Sequence, residues 1–227
     1  SRGIFVPKQE DQMKKEGYKG FYNRFVKRVI DFVAALVLFI LTLPLFVIIG
    51  IVIAVDSGFP IFYKPLRDGY KNKPFHIYKF RTMVKDADKG DGTTALNDPR
   101  ITKSGKILRK LKLDEIPQLI NVLNSTMSFI GPRPELLKYT QQYKGDEKLI
   151  LEVRPGITDF SSIEFINLDE IVGEENPDEM YEKYVLKEKN KLRIKYAREV
   201  SAKTDAYLFL KTFWQVGKKA IRVITKK

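Results

Sequence analysis

Phe32-Val33-Ala34-Ala35-Leu36-Val37-Leu38-Phe39-Ile40-Leu41-Thr42-Leu43-Pro44-Leu45-Phe46-Val47-Ile48-Ile49-Gly50-Ile51-Val52-Ile53-Ala54-Val55 contains no charged side chain. A helix over this run reaches about 36 Å, enough to cross the roughly 30 Å hydrocarbon core of a bilayer. Leu43-Pro44 interrupts it, because proline removes a helical N–H and its ring crowds the preceding turn. Basic residues flank both ends: Lys14, Lys15, Lys19, Arg24, Lys27 and Arg28 before the run, Lys64, Arg67, Lys71 and Lys73 after it. Positive charge favours the cytoplasmic side at each end, which a re-entrant helical hairpin satisfies and a straight span does not. The straight span and a buried soluble helix are the alternatives. The length of the run and the lack of a small-residue cleavage site argue against a signal peptide.

The chain has 227 residues, enough for one substantial core plus an appendage. Its formal net charge of +13 points to a polyanionic partner: nucleic acid, an anionic membrane surface or a phosphorylated small molecule. Cysteine is absent, which removes disulfide and thiolate chemistry and fits a reducing compartment. A single histidine, His76, argues against a zinc site or a Ser/His/Asp triad and reads as structural. Residues 1–12 begin at Ser1 and show no apolar period, so a natural start at Met13 is expected.

Past the apolar run, Pro60 to Tyr63 and Pro74 to Arg81 read as strands. Alternation puts Lys79 and Arg81 on one face, either as a phosphate clamp or as a solvated cationic edge. The polar loop over residues 85–100 carries Asp86, Asp88 and Asp91, but Gly90 and Asn97 occupy positions a calcium loop needs for ligands. Helical signals resume at Thr102, with Ile107, Leu108 and Leu111 set against Lys103, Lys106, Arg109, Lys110 and Lys112. Leu113-Asp114-Glu115-Ile116-Pro117-Gln118 follows. It reads either as a helix start capped by Asp114 with Pro117 in the first turn, or as a pair of carboxylates doing different work on neighbouring faces.

Two later turns frame arginines with prolines, Gly131-Pro132-Arg133-Pro134 and Arg154-Pro155-Gly156. Rigid presentation suits bidentate phosphate recognition, although two ordinary turns would read alike. Asn176-Pro177-Asp178-Glu179 starts a helix to about Val200 whose mixed charges predict a solvated face. From Ala206, Phe209, Leu210, Phe213, Val216, Ile221 and Ile224 recur at helical spacing among Lys211, Lys218, Lys219, Arg222, Lys226 and Lys227. That segment is either a core helix with a basic tail or an amphipathic helix on an anionic membrane.

Taken together, the motifs resemble the monotopic phosphoglycosyl transferases, bacterial sugar transferases that act on undecaprenyl phosphate. The matching residues are Lys27-Arg28-Val29-Ile30-Asp31, Leu43-Pro44, Tyr78-Lys79-Phe80-Arg81-Thr82-Met83, Leu108-Arg109-Lys110 and Leu113 to Leu119. They continue with Asn121-Val122-Leu123, Met127 to Pro134 and Arg154-Pro155-Gly156-Ile157-Thr158, so that the likeness covers roughly residues 22–217. It implies that Asp114 is a nucleophile toward the β-phosphate of a UDP-sugar. UMP then leaves, and a polyprenyl phosphate takes the sugar phosphate from the carboxylate. It further implies that Mg²⁺ sits on Glu115, with Asp114 a second candidate ligand. Lys79, Arg81, Arg109, Arg133 and Arg154 would bind phosphate, and Asp205 is a weaker candidate site member. Departures from the family pattern fall at Asp159, at Pro65-Leu66-Arg67-Asp68-Gly69 and at Ser125-Thr126, and bear on the sugar pocket.

The expected fold is α+β and mostly helical. Residues 1–20 form a tail and 21–56 a re-entrant membrane helix. Residues 57–227 form one compact cytoplasmic catalytic domain with short strands and amphipathic interfacial helices. The resemblance places the enzyme at the cytoplasmic face of the bacterial inner membrane, with UDP-sugar, polyprenyl phosphate and anionic lipid as partners. It implies no nucleic acid, is compatible with a homo-oligomer, and makes the step the first membrane step of glycoconjugate or polysaccharide assembly. Two other readings compete: a membrane-tethered basic protein binding anionic lipid or nucleic acid without catalysis, and a glycosyltransferase that moves the sugar alone and releases UDP.

Overall fold

The computed structural model describes residues 16–85, 87, 98–166 and 177–225, with side chains from Asp178 to Lys218 in the last segment. Asp86, Asp88 and Asp91 of the expected loop, Asn176 and most of the N-terminal tail lie outside these residues.

A π-helical turn, Tyr22–Val26, runs directly into helix α1, Lys27–Ser57. The combined 36 residues are long and apolar enough to cross a membrane. At 1.5 Å per residue they reach about 54 Å, well over one hydrocarbon thickness. The helix continues through Pro44 rather than dividing there into two helices. Just before the proline, the Thr42 hydroxyl donates to Leu38 O at 2.7 Å, a back-bond of the kind that bends helices. Val29, Ile40, Leu41 and Val55 are exposed along α1, whereas Ala35, Ile49 and Ile53 are buried. So large an exposed apolar surface excludes the buried soluble helix. Both halves of α1 are nonetheless held by the rest of the fold. Ala35 packs with Phe75, Ile77, Leu119, Val122 and Met127, and Ile49 and Ile53 pack with Phe80 and Leu108.

Four short strands follow: β1, Phe62–Tyr63; β2, Leu66–Arg67; β3, Phe75–His76; and β4, Lys79–Phe80. They nest, β1 against β4 and β2 against β3, both antiparallel. The ladder breaks at Pro65, which has no N–H to give. Opposite the break, Asn121 Oδ1 accepts from Tyr78 N at 2.8 Å while Asn121 Nδ2 donates to His76 O at 2.8 Å. The strand expected over residues 74–81 is therefore two, and it ends before Arg81.

Helix α2, Lys103–Leu111, a 3-10 turn at Leu113–Glu115 and helix α3, Gln118–Leu123, come next. Strands β5, Ser128–Ile130, and β6, Gly156–Thr158, pair in parallel across the intervening helix α4, Leu137–Thr140, and a 3-10 segment, Gly145–Glu152. Helix α5, Phe160–Glu164, leads toward α6, Pro177–Met180. A second π-helical turn, Tyr181–Val185, joins α6 to α7, Leu186–Glu199, and α8, Ala202–Thr225, closes the chain. The fold is α+β and mostly helical, as expected.

Helix α7 departs from its expected solvated face. Lys189, Asn190, Arg193, Tyr196 and Ala197 are buried, because Arg193 Nη2 donates to Glu135 at 3.1 Å and Tyr196 OH donates to Ile130 O at 2.9 Å. Pairing lets a charge go where composition alone would exclude it. On α8, Asp205 and Leu208 face inward while Phe209, Leu210, Phe213 and Trp214 are exposed.

Candidate active site

Thr102 caps α2, its hydroxyl accepting from Gly105 N at 3.0 Å. Gly105 is needed because a Cβ there would lie 2.1 Å from Thr82 O. The helix stops at Lys112, a non-glycine residue in the left-handed region, φ 59° and ψ 21°. That reversal starts the turn bearing the two carboxylates, in which Ile116 N donates to Leu113 O at 3.2 Å. Helix α3 begins after Pro117 without a side-chain cap. The cap reading of Asp114 is thus corrected: the i to i+3 bonds keep it inside the turn, short of the helix start.

Asp114 is buried, and its Oδ1 has no hydrogen-bond partner. Burial raises its pKa, and the Glu115 charge raises it further. Glu115 is the opposite case. Its Oε1 accepts from Lys79 Nζ at 3.3 Å and from Arg133 Nη2. Burial works against its charge, but Arg133 and Lys79 overcome that and hold the carboxyl well below the usual range. Two adjacent carboxylates have been driven apart, one prone to protonation and one firmly ionised.

Arg133 is held on both sides. Its Nη1 donates to Ile157 O at 3.0 Å, and the two proline-framed turns interlock behind it. Gly156 N donates to Pro132 O at 3.0 Å, and Gly131 N donates to Thr158 O at 2.9 Å. A Cβ on Gly156 would meet Gly131 N at 2.1 Å, so both glycines serve close backbone approach. Arg109, in the last turn of α2, donates from Nε to Thr82 Oγ1 at 2.8 Å, and its charge favours ionised Asp114.

The apolar helix grips the segment at both ends. Asp56 Oδ2, near its C-terminus, accepts from Ser104 N at 2.9 Å and Ser104 Oγ at 2.7 Å at the start of α2. Arg28, near its N-terminus, donates to Val122 O at 2.6 Å and Leu123 O at 2.9 Å at the end of α3. The bonds to Ser104 N, Val122 O and Leu123 O satisfy backbone groups that a helix end leaves open.

The candidate site residues do not all converge. Asp114, Glu115, Lys79 and Arg133 come together, with Arg109 acting on Asp114 by charge. Arg81 diverges from Lys79: its Nη2 donates to Ser57 O at 2.7 Å and to Gly58 O at the end of α1. A helix C-terminus offers unpaired carbonyls and partial negative charge, which draws a guanidinium. Its Nε and Nη1 are buried without partners. Arg154 stacks over Tyr70 at 5.2 Å. Asp205 accepts from Lys27 Nζ at 2.5 Å, Tyr22 OH at 2.9 Å and Tyr196 OH at 2.7 Å, which makes it a buried anchor between α1 and α8.

Sequence reasoning passed over Gln118, 1% exposed with Oε1 unpartnered, and the Glu135–Tyr181–Arg193 network. The signal for the second was Glu135 directly after the framed turn. Among the described residues no group of three or more His, Cys, Asp and Glu side chains is placed to hold a metal. The donors at the pair, Glu115 and the unpartnered Asp114 oxygen, fit Mg²⁺, which takes one or two carboxylates and completes its shell with water and substrate phosphate.

A mostly helical α+β scaffold presenting a buried, electrostatically split carboxylate pair among fixed cationic side chains is the class these features define. The model of the bacterial sugar transferase family matches residues 22–219, and the chain belongs to that family. It is 40% identical over 138 residues to the uncharacterized sugar transferase EpsL of Bacillus subtilis (strain 168), covering 61% of this chain and 68% of that protein. It is 39% identical over 145 residues to the UDP-glucose:undecaprenyl-phosphate glucose-1-phosphate transferase of Escherichia coli (strain K12), covering 62% of this chain and 31% of the relative. The exopolysaccharide production protein ExoY of Rhizobium meliloti (strain 1021) is 33% identical over 174 residues, with 70% and 74% covered. The chain thus spans about a third of the length of the Escherichia coli relative and most of ExoY.

Proposed function

We propose that the chain is a phosphoglycosyl transferase that moves a sugar 1-phosphate from a UDP-sugar to a polyprenyl phosphate and releases UMP. One observation carries the reading: buried Asp114, with an unpartnered oxygen, stands beside Glu115, which Lys79 and Arg133 keep ionised. The Escherichia coli relative, a UDP-glucose:undecaprenyl-phosphate glucose-1-phosphate transferase, supports the same reaction.

In the first step an Asp114 carboxylate oxygen attacks the β-phosphorus of the UDP-sugar. The bond from that phosphorus to the bridging oxygen breaks, and UMP leaves with the bond pair. In the second step an oxygen of the polyprenyl phosphate attacks the same phosphorus, the acyl phosphate bond breaks, and the Asp114 carboxylate is regenerated. Lys79, Arg133 and Arg109 supply fixed positive charge where the phosphoryl oxygens gather it. Desolvation makes Asp114 a poorly solvated and hence more reactive carboxylate. Mg²⁺, held by Glu115 with Asp114 as second ligand, would neutralise diphosphate charge. Arg154 extends the phosphate-binding surface, whereas Arg81 stays tied to the end of α1 with its Nε and Nη1 buried.

The site works at the cytoplasmic face of the bacterial inner membrane, where a soluble donor meets a lipid acceptor. Basic flanks at both ends of α1, together with Asp56 and Arg28 tied to one domain, support a re-entrant rather than crossing helix. The exposed Phe209, Leu210, Phe213 and Trp214 support α8 lying on anionic lipid. Purified protein with Mg²⁺, polyprenyl phosphate and a panel of UDP-sugars tests the reaction. UMP release that disappears in Asp114→Asn is expected. UDP as the product, or full activity in that variant, would overturn it.

A further inference from the structure

Helix α3 buries two side-chain amides, and the fold treats them differently. Asn121 is tied into the structure: Oδ1 accepts from Tyr78 N at 2.8 Å, and Nδ2 donates to His76 O at 2.8 Å and to Thr126 Oγ1 at 3.1 Å. Gln118 is just as buried, yet its Oε1 has no hydrogen-bond partner among the described residues. Leaving an amide buried and unpaired is unfavourable, and such a group calls for a partner that packing has not supplied. One turn earlier stands a second buried oxygen of the same kind, Oδ1 of Asp114.

The backbone brings the two residues to one side. Ile116 and Pro117 are both right-handed helical, with φ −53° and −60°. Ile116 N donates to Leu113 O at 3.2 Å, and Leu119 N donates to Ile116 O at 3.0 Å. The path from the 3-10 turn into α3 is therefore one continuous right-handed coil. Gln118 follows Glu115 by three residues and Asp114 by four, the spacings that stack side chains on one side of such a coil. Glu115 already has donors in Lys79 and Arg133. An ionised Asp114 can only accept, whereas the Gln118 amide carries an acceptor and two N–H donors. A half-turn of that amide exchanges acceptor for donor and pairs the two orphaned groups.

We propose that Gln118 is a positioning residue for the nucleophile: its side-chain N–H donates to Oδ1 of Asp114 and holds the carboxylate with its other oxygen toward phosphorus. The proposal rests on the reaction proposed above. Oδ1 keeps a second lone pair, so the bond does not compete with a cation there. Fixing the carboxylate matters because misplacing a reacting group by about 1 Å can lower a rate roughly 100-fold. In the second step, as the acyl phosphate bond breaks, the same N–H meets the negative charge returning to Asp114.

Gln118→Met keeps the length of the side chain and removes the donor. In the full chain with Mg²⁺, polyprenyl phosphate and an accepted UDP-sugar, kcat for UMP release is expected to fall about 10- to 100-fold, while KM for the UDP-sugar stays within about threefold. The thermal midpoint should not fall, because the variant no longer buries an unpaired amide. A kcat close to wild type, a KM that rises along with the loss of kcat, or a lowered midpoint would overturn the proposal. A second measurement needs no turnover. The side-chain N–H resonances of Gln118, assigned by their loss in Gln118→Met, should exchange faster with water in Asp114→Ala than in the wild-type chain. Equal exchange in the two proteins would show that the amide does not hold Asp114. Faster exchange in Asp114→Ala, in a chain that releases no UMP, would uphold the contact and overturn the reaction.

Discussion

The ammonium of Lys27 lies 2.5 Å from Oδ2 of Asp205, and both side chains are buried. The pair joins the start of the apolar helix to the last helix of the chain, across 178 residues of sequence. Tyr22 and Tyr196 donate to the same carboxylate, so three of its roughly four lone-pair sites are used.

Asp205→Ala would leave Lys27 buried without its anion, along with two hydroxyls that lose an acceptor. Breaking a buried pair from one side costs roughly 3 to 5 kcal/mol, while replacing both members by apolar residues is often neutral. Asp205→Ala is expected to lower the thermal midpoint strongly, and Lys27→Met with Asp205→Leu to recover part of the loss, the Tyr22 and Tyr196 hydroxyls still lacking the carboxylate. A single variant as stable as wild type would show that the pair adds nothing.

The interlocked turns make a sharper prediction. A methyl on Gly156 would sit 2.1 Å from Gly131 N, an atom that cannot move aside. Gly156→Ala should therefore push β5 and β6 apart, displace Arg133 from Glu115 and destabilise by more than about 2 kcal/mol. Gly217→Ala is the contrast, since that position is open and alanine favours a helix by up to about 1 kcal/mol. Thermal unfolding of both variants decides it.

These examples also show what the sequence could convey. The apolar run, the Thr102 helix start and the carboxylate pair were legible because each is a local pattern with its own physical signature. The partners were not. Arg81 looked like a phosphate ligand beside Lys79, yet the strand ends at Phe80 and the carbonyls of Ser57 and Gly58 take one end of its guanidinium. Arg193 looked solvated until Glu135, 58 residues earlier, came beside it. Asp205 carried a weak site assignment, and its side-chain hydrogen bonds to Tyr22, Lys27 and Tyr196 tie helices together. Periodicity reports which face is apolar; it does not report which distant charge will meet a buried one.

The two carboxylates predict the acid limb of the pH profile. Glu115 is held well below its ordinary range, so it stays ionised where Asp114, raised above 3.8, takes up its proton. Activity should therefore fall through one ionisation, above the ordinary aspartate value, as pH drops. Lys79 favours the charged form of Asp114, so Lys79→Met should move the limb to higher pH and lower kcat/KM. A limb that stays in place or moves down, in initial-rate measurements of UMP release, would show that another group controls it.

Asp114→Asn should abolish UMP release and at the same time make the protein more stable. In the folded state burial and Glu115 disfavour the charged Asp114, so its folded pKa lies above the unfolded one. Between those values the native state binds more protons than the unfolded state, and stability falls as pH rises through the window. Above it, at neutral pH, the full penalty is present, and a neutral amide removes it. A gain of about 1 kcal/mol corresponds to roughly 2 to 4 °C in a chain of this size. Below the window both versions are neutral and the difference should vanish. Thermal midpoints of the two proteins compared at neutral and acidic pH test this. A variant less stable than wild type at neutral pH would mean that Asp114 contributes to the fold, rather than standing strained at a site where activity is gained at the expense of stability.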